Sequence, residues 1–435
     1  MRFTLAAILL SISVIASGDD DAFSKWAAAH AVPLATVEPG DDFQDLLPLK
    51  SAIGNARVVA LGEPRHGAHE PLAFRNRLFR FLIEQMAFTA VAFESGFSES
   101  ARVVDFVSGG PGDAQTVVAT NSVPRYGENV EIIQWLRDYN AAASSTGRRK
   151  IRFYGIDMTT GGRLNGATVS LDYALEFLSR ADPAAAQKIR DSLVHLPKPD
   201  DRGLGSLSDV AQAEFEAGIR SVASAMQKSR RKLIARSSEE HYRWALRNLE
   251  AARQLAECLP VTPLPSGTKA AWSVAATCRD AAMAENVRWA LENEGRNGRL
   301  LLFAHAGHVI NTLWEGRSNR EVPIKPPTMG FNLRKVYGDD IYLIAMCTAT
   351  TAGGLLPAKP MEEGSVEITL AALGLPRFFL DLRQARNLVE PHTWLNMPRS
   401  FVANVDAQSI ITVSTAVDAF VFVDPLTPAV SHPGP

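Results

Sequence analysis

Apolar positions dominate five short stretches, only Arg152 interrupting them, each closing on a polar residue or cysteine: Arg57–Glu63, Thr89–Glu94, Ile151–Asp157, Arg299–His305 and Ile341–Cys347. Near-continuous runs of this length predict strands covered on both faces, as in a parallel sheet. Between them the period changes to that of a helix. Pro71–Met86 repeats apolar residues at Leu78, Phe79, Leu82, Ile83 and Met86. Arg279–Gly295 does so at Met283, Val287, Ala290 and Leu291, and stops at a glycine suited to a C-cap. Strand, helix and strand in alternation imply crossover units. The expected fold class is α/β, a mostly parallel central sheet flanked by helices.

One region departs from this rhythm. From about residue 176 strand-like runs vanish, and Asp209–Ser229 and Ser237–Leu259 read as long helices, the second opening on Ser-Ser-Glu-Glu. The organisation predicted is an α/β part over 19–175, an all-helical insertion over 176–265, a second α/β part over 266–424 and a loose Pro-rich tail over 425–435. The basic run Lys228–Arg236 reads as a solvated helix face.

Ahead of all this, Arg2 and the apolar run Phe3–Ala16 lead to Ala16-Ser17-Gly18 and three aspartates. A run this short, with small residues before an acidic start, predicts a secretory signal peptide cleaved near Gly18, with a membrane anchor as the competing reading. The mature chain is then expected to be secreted or periplasmic. Export would permit a disulfide, and Cys258 and Cys278 flank a Pro-rich loop that a bridge would staple, three free thiols being the alternative. Cys347 looks like a buried thiol. Over 435 residues the formal net charge is −2, which offers no basic footprint for nucleic acid. Oligomeric state is not legible.

Chemistry is expected where the strands end, because open α/β sheets build their sites at the carboxyl edge. Four of the predicted strands end in Glu63, Glu94, Asp157 and His305. Any one of these carboxylates could instead cap the next helix. Two histidine pairs fall on the same edge, His66 and His69 after the first run, His305 and His308 after the fourth. Arg75 lies on the apolar stripe of its helix, pointing inward unlike Arg77, and so calls for anions, for which Glu63 and Glu94 are the candidates. Arg279 leads its own stripe in the same way, with Asp280 beside it. No Gly-x-Ser-x-Gly elbow, Walker loop or Gly-x-Gly-x-x-Gly occurs, which weighs against a serine triad or a nucleotide site.

In order along the chain, Gly62-Glu63-Pro-Arg-His66-Gly-Ala-His69-Glu70, Phe74-Arg75-Asn76-Arg77-Leu78, Phe88–Glu94, Tyr154-Gly-Ile-Asp157, Arg279–Asn286, Ala304-His305-Ala-Gly-His308-Val309 and Thr328-Met329-Gly330 resemble the erythromycin esterase family. The resemblance spans about residues 45–350. Where the family usually has Asn after the first histidine of the late motif, this chain has Ala306. The resemblance implies hydrolysis of a carboxylic ester or macrolide lactone without a covalent serine, and with it antibiotic resistance as a possible setting. It casts His66 as the base that activates water, Glu63 and Glu94 as carboxylates orienting it, and Arg75 and His305 as groups that polarise the carbonyl. His308, Arg279, His69 and Asp157 fall at substrate-binding or supporting positions. A small-molecule ester is the expected partner and no cofactor is expected. Two alternatives stay open: a divalent metal on His66, Glu94 and His305, and a non-enzymatic periplasmic binding or envelope protein.

Overall fold

The computed structural model describes residues 22–119, 124–158, 166–195, 208–258, 269–314, 325–355, 361–404 and 407–431. The predicted signal peptide therefore lies outside the described residues. Ten strands occur among those described: β1 (Val32–Pro33), β2 (Val58–Glu63), β3 (Ala90–Gly96), β4 (Arg152–Asp157), β5 (Leu300–His305), β6 (Ile341–Cys347), β7 (Arg377–Asp381), β8 (Pro398–Asn404), β9 (Ala407–Thr412) and β10 (Ala419–Val423). All five runs expected to be strands are strands, each within two residues of its predicted ends. The chain divides into two compact units, one drawn from Met1–Val91, Tyr126–Ile132 and Leu291–Pro433, the other from Ala92–Arg125, Ile133–Ala290 and Gly434–Pro435.

In the first unit the strands stand in the order β1-β7-β10-β6-β2-β5. β2 pairs in parallel with both β5 and β6, and β6 in parallel with β10, while β7 and β1 add antiparallel strands at the edge. The expected mostly parallel α/β fold is thus the one observed. β2, β5 and β6 are buried along their whole length, which is why their sequences show no alternation. A hairpin of β8 and β9 packs with the helix Val389–Asn396 around Trp394, whose ring stacks on Phe23 at 3.7 Å.

The second unit holds β4, most of β3, and a run of helices beginning at Gly166–Ser179, ten residues earlier than the predicted start of the all-helical region. Leu171, Leu175, Leu178, Phe215, Ile219, Val222, Tyr242, Leu249 and Leu255 bury their side chains in one another here. Cys258 and Cys278 are bridged, with their Cα atoms 5.3 Å apart, and Cys347 is a free, buried thiol. The helix carrying Arg279 is Lys269–Glu294, a full ten residues longer at its start than its periodicity suggested. Among the described residues no helix is long and apolar enough to cross a membrane.

Two expectations are corrected. Arg77, read as outward-facing, is buried: its guanidinium binds Asp45 at 2.6 Å and the carbonyls of Thr36 and Asp42. The helix His69–Met86 is covered on nearly every side, so position on a 3.6-residue stripe does not decide which arginine faces water. The described part of the tail, to residue 431, is not loose either. Leu426 is buried, and backbone bonds from His69 N to the Thr427 carbonyl and from Ala429 N to the Gly67 carbonyl tie the strip to the turn after β2, while Gly127 N to Val430 ties it to the start of the helix Gly127–Thr146.

Candidate active site

Parallel pairing of β2 with β5 sets Glu63 directly opposite His305, so the last residues of two interior strands meet at the carboxyl edge. Both are nearly covered, at 4% and 5% exposure. Gly62 makes this approach feasible, since a Cβ there would sit 2.7 Å from the Ala306 Cα.

From Glu63 the chain turns through Pro64 and Arg65, and the His66 side chain, 58% exposed, folds back to place Nδ1 2.6 Å from Glu63 Oε1. A carboxylate only accepts, so Nδ1 carries the hydrogen and Nε2 is left as the basic nitrogen. The His66 and His305 rings lie edge to face with centroids 4.7 Å apart. The other Glu63 oxygen, Oε2, is buried without a hydrogen-bond partner among the described residues.

His69, three residues on, has a different setting. Its Nδ1 faces Glu128 at 2.6 Å and its Nε2 faces Glu38 at 2.8 Å. Burial alone would lower its pKa, but the bonds and charges of the two carboxylates prevail and hold it above 6.5. The ring is a clamped cation, not a free base. His308 is half-buried on the short helix Ala306–Val309.

Arg75 is 1% exposed. Its Nε and Nη2 donate to Asn76 Oδ1 at 3.0 and 2.7 Å, its Nη1 donates to Asn129 Oδ1 at 2.8 Å, and its plane lies 4.8 Å over the Phe303 ring. Burial lowers its pKa to about 10, against the opposing charges of Glu63, Glu128 and Glu131, so it stays protonated near neutrality. Of the two carboxylates expected to neutralise it, Glu63 faces it electrostatically, whereas Glu94 accepts from Arg279. Its covered guanidinium acts on its surroundings as a fixed charge; a group reaching for substrate would need an open face.

The second unit gathers the rest. Glu94 on β3 and Asp157 at the end of β4 both take Arg279, with Nη2 2.8 Å from Glu94 Oε1 and 2.7 Å from Asp157 Oδ2, while Nε lies 3.2 Å from each Asp157 oxygen. Burial works against the Arg279 charge, but Asp157 and Glu94 raise its pKa well above the ordinary value. Sequence reasoning passed over Glu99, whose carboxyl is pushed up to about 7 by burial and the nearby Asp157 charge. It also passed over Glu38, Tyr126, Glu128 and Asn129, which stand in segments with no strand-end or periodic signal.

Among the described residues no three of His, Cys, Asp and Glu are arranged to hold a metal ion. In the arrangement observed, His66 commits Nδ1 to Glu63, and Glu94 is engaged with Arg279.

Erythromycin esterase type II of Escherichia coli is 25% identical over 386 residues, covering 83% of this chain and 89% of the relative. The fold resembles that of a Bacillus cereus protein of known crystal structure, with a TM-score of 0.78 at 23% identity over 95% of this chain and 99% of the other. It also resembles a mutant of the erythromycin esterase EreC in its open conformation, with a TM-score of 0.66 at 18% identity over 92% and 98% of the two chains. The erythromycin esterase family model matches residues 83–425, well over half of the sequence, and the chain belongs to the erythromycin esterase family.

Proposed function

We propose that this protein hydrolyses a carboxylic ester or lactone with a water molecule activated by His66. The observation that carries this reading is the Glu63–His66 pair: a 2.6 Å bond from Nδ1 to a covered carboxylate fixes the ring and leaves its basic nitrogen on an exposed imidazole. Water bound at Nε2 gives up a proton as its oxygen attacks the ester carbon, and the carbonyl electron pair moves onto oxygen. Collapse of the tetrahedral species expels the alkoxide, which takes the proton back from the imidazolium. Glu63 steadies the ring and its transient charge, and the buried Arg75 cation interacts electrostatically with Glu63. Erythromycin esterases in the same family make a macrolide lactone one substrate to examine. Export fits the same reading: the N-terminal run resembles a cleaved signal peptide, and a Cys258–Cys278 bridge suits an oxidising compartment.

The test is mass spectrometry of a macrolide and ester panel after incubation, looking for the gain of one water. Wild-type protein should convert at least one member, and His66→Ala should lose on the order of 100-fold or more in rate. Undiminished turnover by purified His66→Ala would end this reading.

A further inference from the structure

The proposed reaction needs a donor for the oxyanion, and burial takes Arg75 out of reach. The residue after His66 shows what stands in its place. Gly67 has φ +74, and the Cβ it lacks would lie 2.8 Å from the Tyr126 hydroxyl. The phenol therefore sits against the Cα of the residue next to His66, in a space that only glycine leaves open.

Tyr126 is held there by its backbone. Its carbonyl accepts from Asn129 N and Val130 N, it bridges to Ser431 in the C-terminal segment, and the next residue, Gly127, donates to Val430. The same segment fixes the His66 turn through Ala68–Pro428 and through Glu70, whose carboxylate accepts from Thr427 N at 2.7 Å and from the Thr427 hydroxyl at 2.6 Å. Tyr126 and His66 are thus tied to one strip of chain. The Tyr126 side chain is half-buried, and its hydroxyl makes no hydrogen bond to another described residue. Burial and the charges of Glu63 and Glu128 raise its pKa above 10, so it remains a neutral donor.

We propose that Tyr126 is a catalytic residue whose phenolic O–H donates a hydrogen bond to the carbonyl oxygen of the ester as that oxygen becomes anionic. The inference rests on the hydrolytic reading above. No proton leaves the phenol: it bonds to the oxyanion while negative charge is there and relaxes when the C=O re-forms. A neutral donor suits a site already occupied by the Glu63 carboxylate, because it stabilises a second negative charge without being captured by the first.

The experiment compares wild type, Tyr126→Phe and His66→Ala on p-nitrophenyl acetate and on the best substrate from the ester panel. Tyr126→Phe keeps the ring and the backbone ties, so its melting temperature should be unchanged. Its kcat should fall on the order of 100-fold, with KM within about twofold, since the bond forms only in the transition state. Wild-type kcat in Tyr126→Phe, with His66→Ala inactive, would overturn the proposal and leave the hydrolytic reading standing. Full turnover by His66→Ala would remove both. A Tyr126→Phe loss confined to KM would also overturn it, by making the phenol a group that binds ester and oxyanion alike.

Discussion

Both units place carboxylates at strand carboxyl ends and add a nitrogen base or cation, yet the two assemblies are poised differently. At the end of β2, Glu63 holds a mostly exposed imidazole through one oxygen and keeps a second, buried oxygen unbonded among the described residues. At the end of β4, Asp157 and Glu94 converge on a single guanidinium with four contacts of 2.7–3.2 Å. Arginine is permanently charged and its fork matches two carboxylates, so the second assembly is electrostatically closed. Histidine changes charge near neutrality, so the first is able to move a proton. Carboxylates at the same kind of position hold an exposed imidazole in one case and a shared guanidinium in the other.

Substitution can break or sharpen that contrast. The largest expected effect is on rate: His66→Ala should abolish hydrolysis and leave the melting temperature within a few degrees of wild type, as read by kinetics and a thermal melt. Next, Arg279→Met should lose about 3 kcal/mol of stability in urea denaturation, because it strands the buried Asp157 carboxylate. Adding Asp157→Leu to it should recover part of that loss; if Arg279→Met were as stable as wild type, the view of this cluster as a lock would fall. Cys258→Ser removes a bridge across 20 residues and should cost about 3 kcal/mol, matched by chemical reduction of the wild type.

The smallest effect separates the neighbouring histidines. The pKa of His69 is raised above 6.5 in the folded protein by Glu128 and Glu38 despite its burial. Its stabilising contribution is complete below pH 6.5 and fades as pH climbs through the folded value. Denaturation midpoints should therefore drop slightly from pH 6 into the alkaline range, and the slope should flatten in His69→Gln.

The inner strands and the His66–Glu63–His305 grouping were legible because buried parallel strands leave unbroken apolar runs, and a charge at the end of such a run has few places to go. β7, β10 and the β8–β9 hairpin were not marked out. They lie in the late α/β part, where β7 has only three apolar residues between Arg377 and Asp381, and β8 and β9 mix polar with apolar residues. The Tyr126 placement was hidden for another reason. It depends on pairing between residues 126–127 and 430–431, and no local pattern announces a contact of that range. Arg77 shows the limit of periodicity itself: on a helix walled in all round, the polar face is set by a distant partner, here Asp45.

The strip at residues 426–431 has a temporal consequence. Glu70 and Thr427 are 357 positions apart, so a growing chain holds the residues of the His66 turn long before the strip that braces it. Until that strip docks, the imidazole and the phenol have no common brace, and the proposed hydrolysis would have to wait for it.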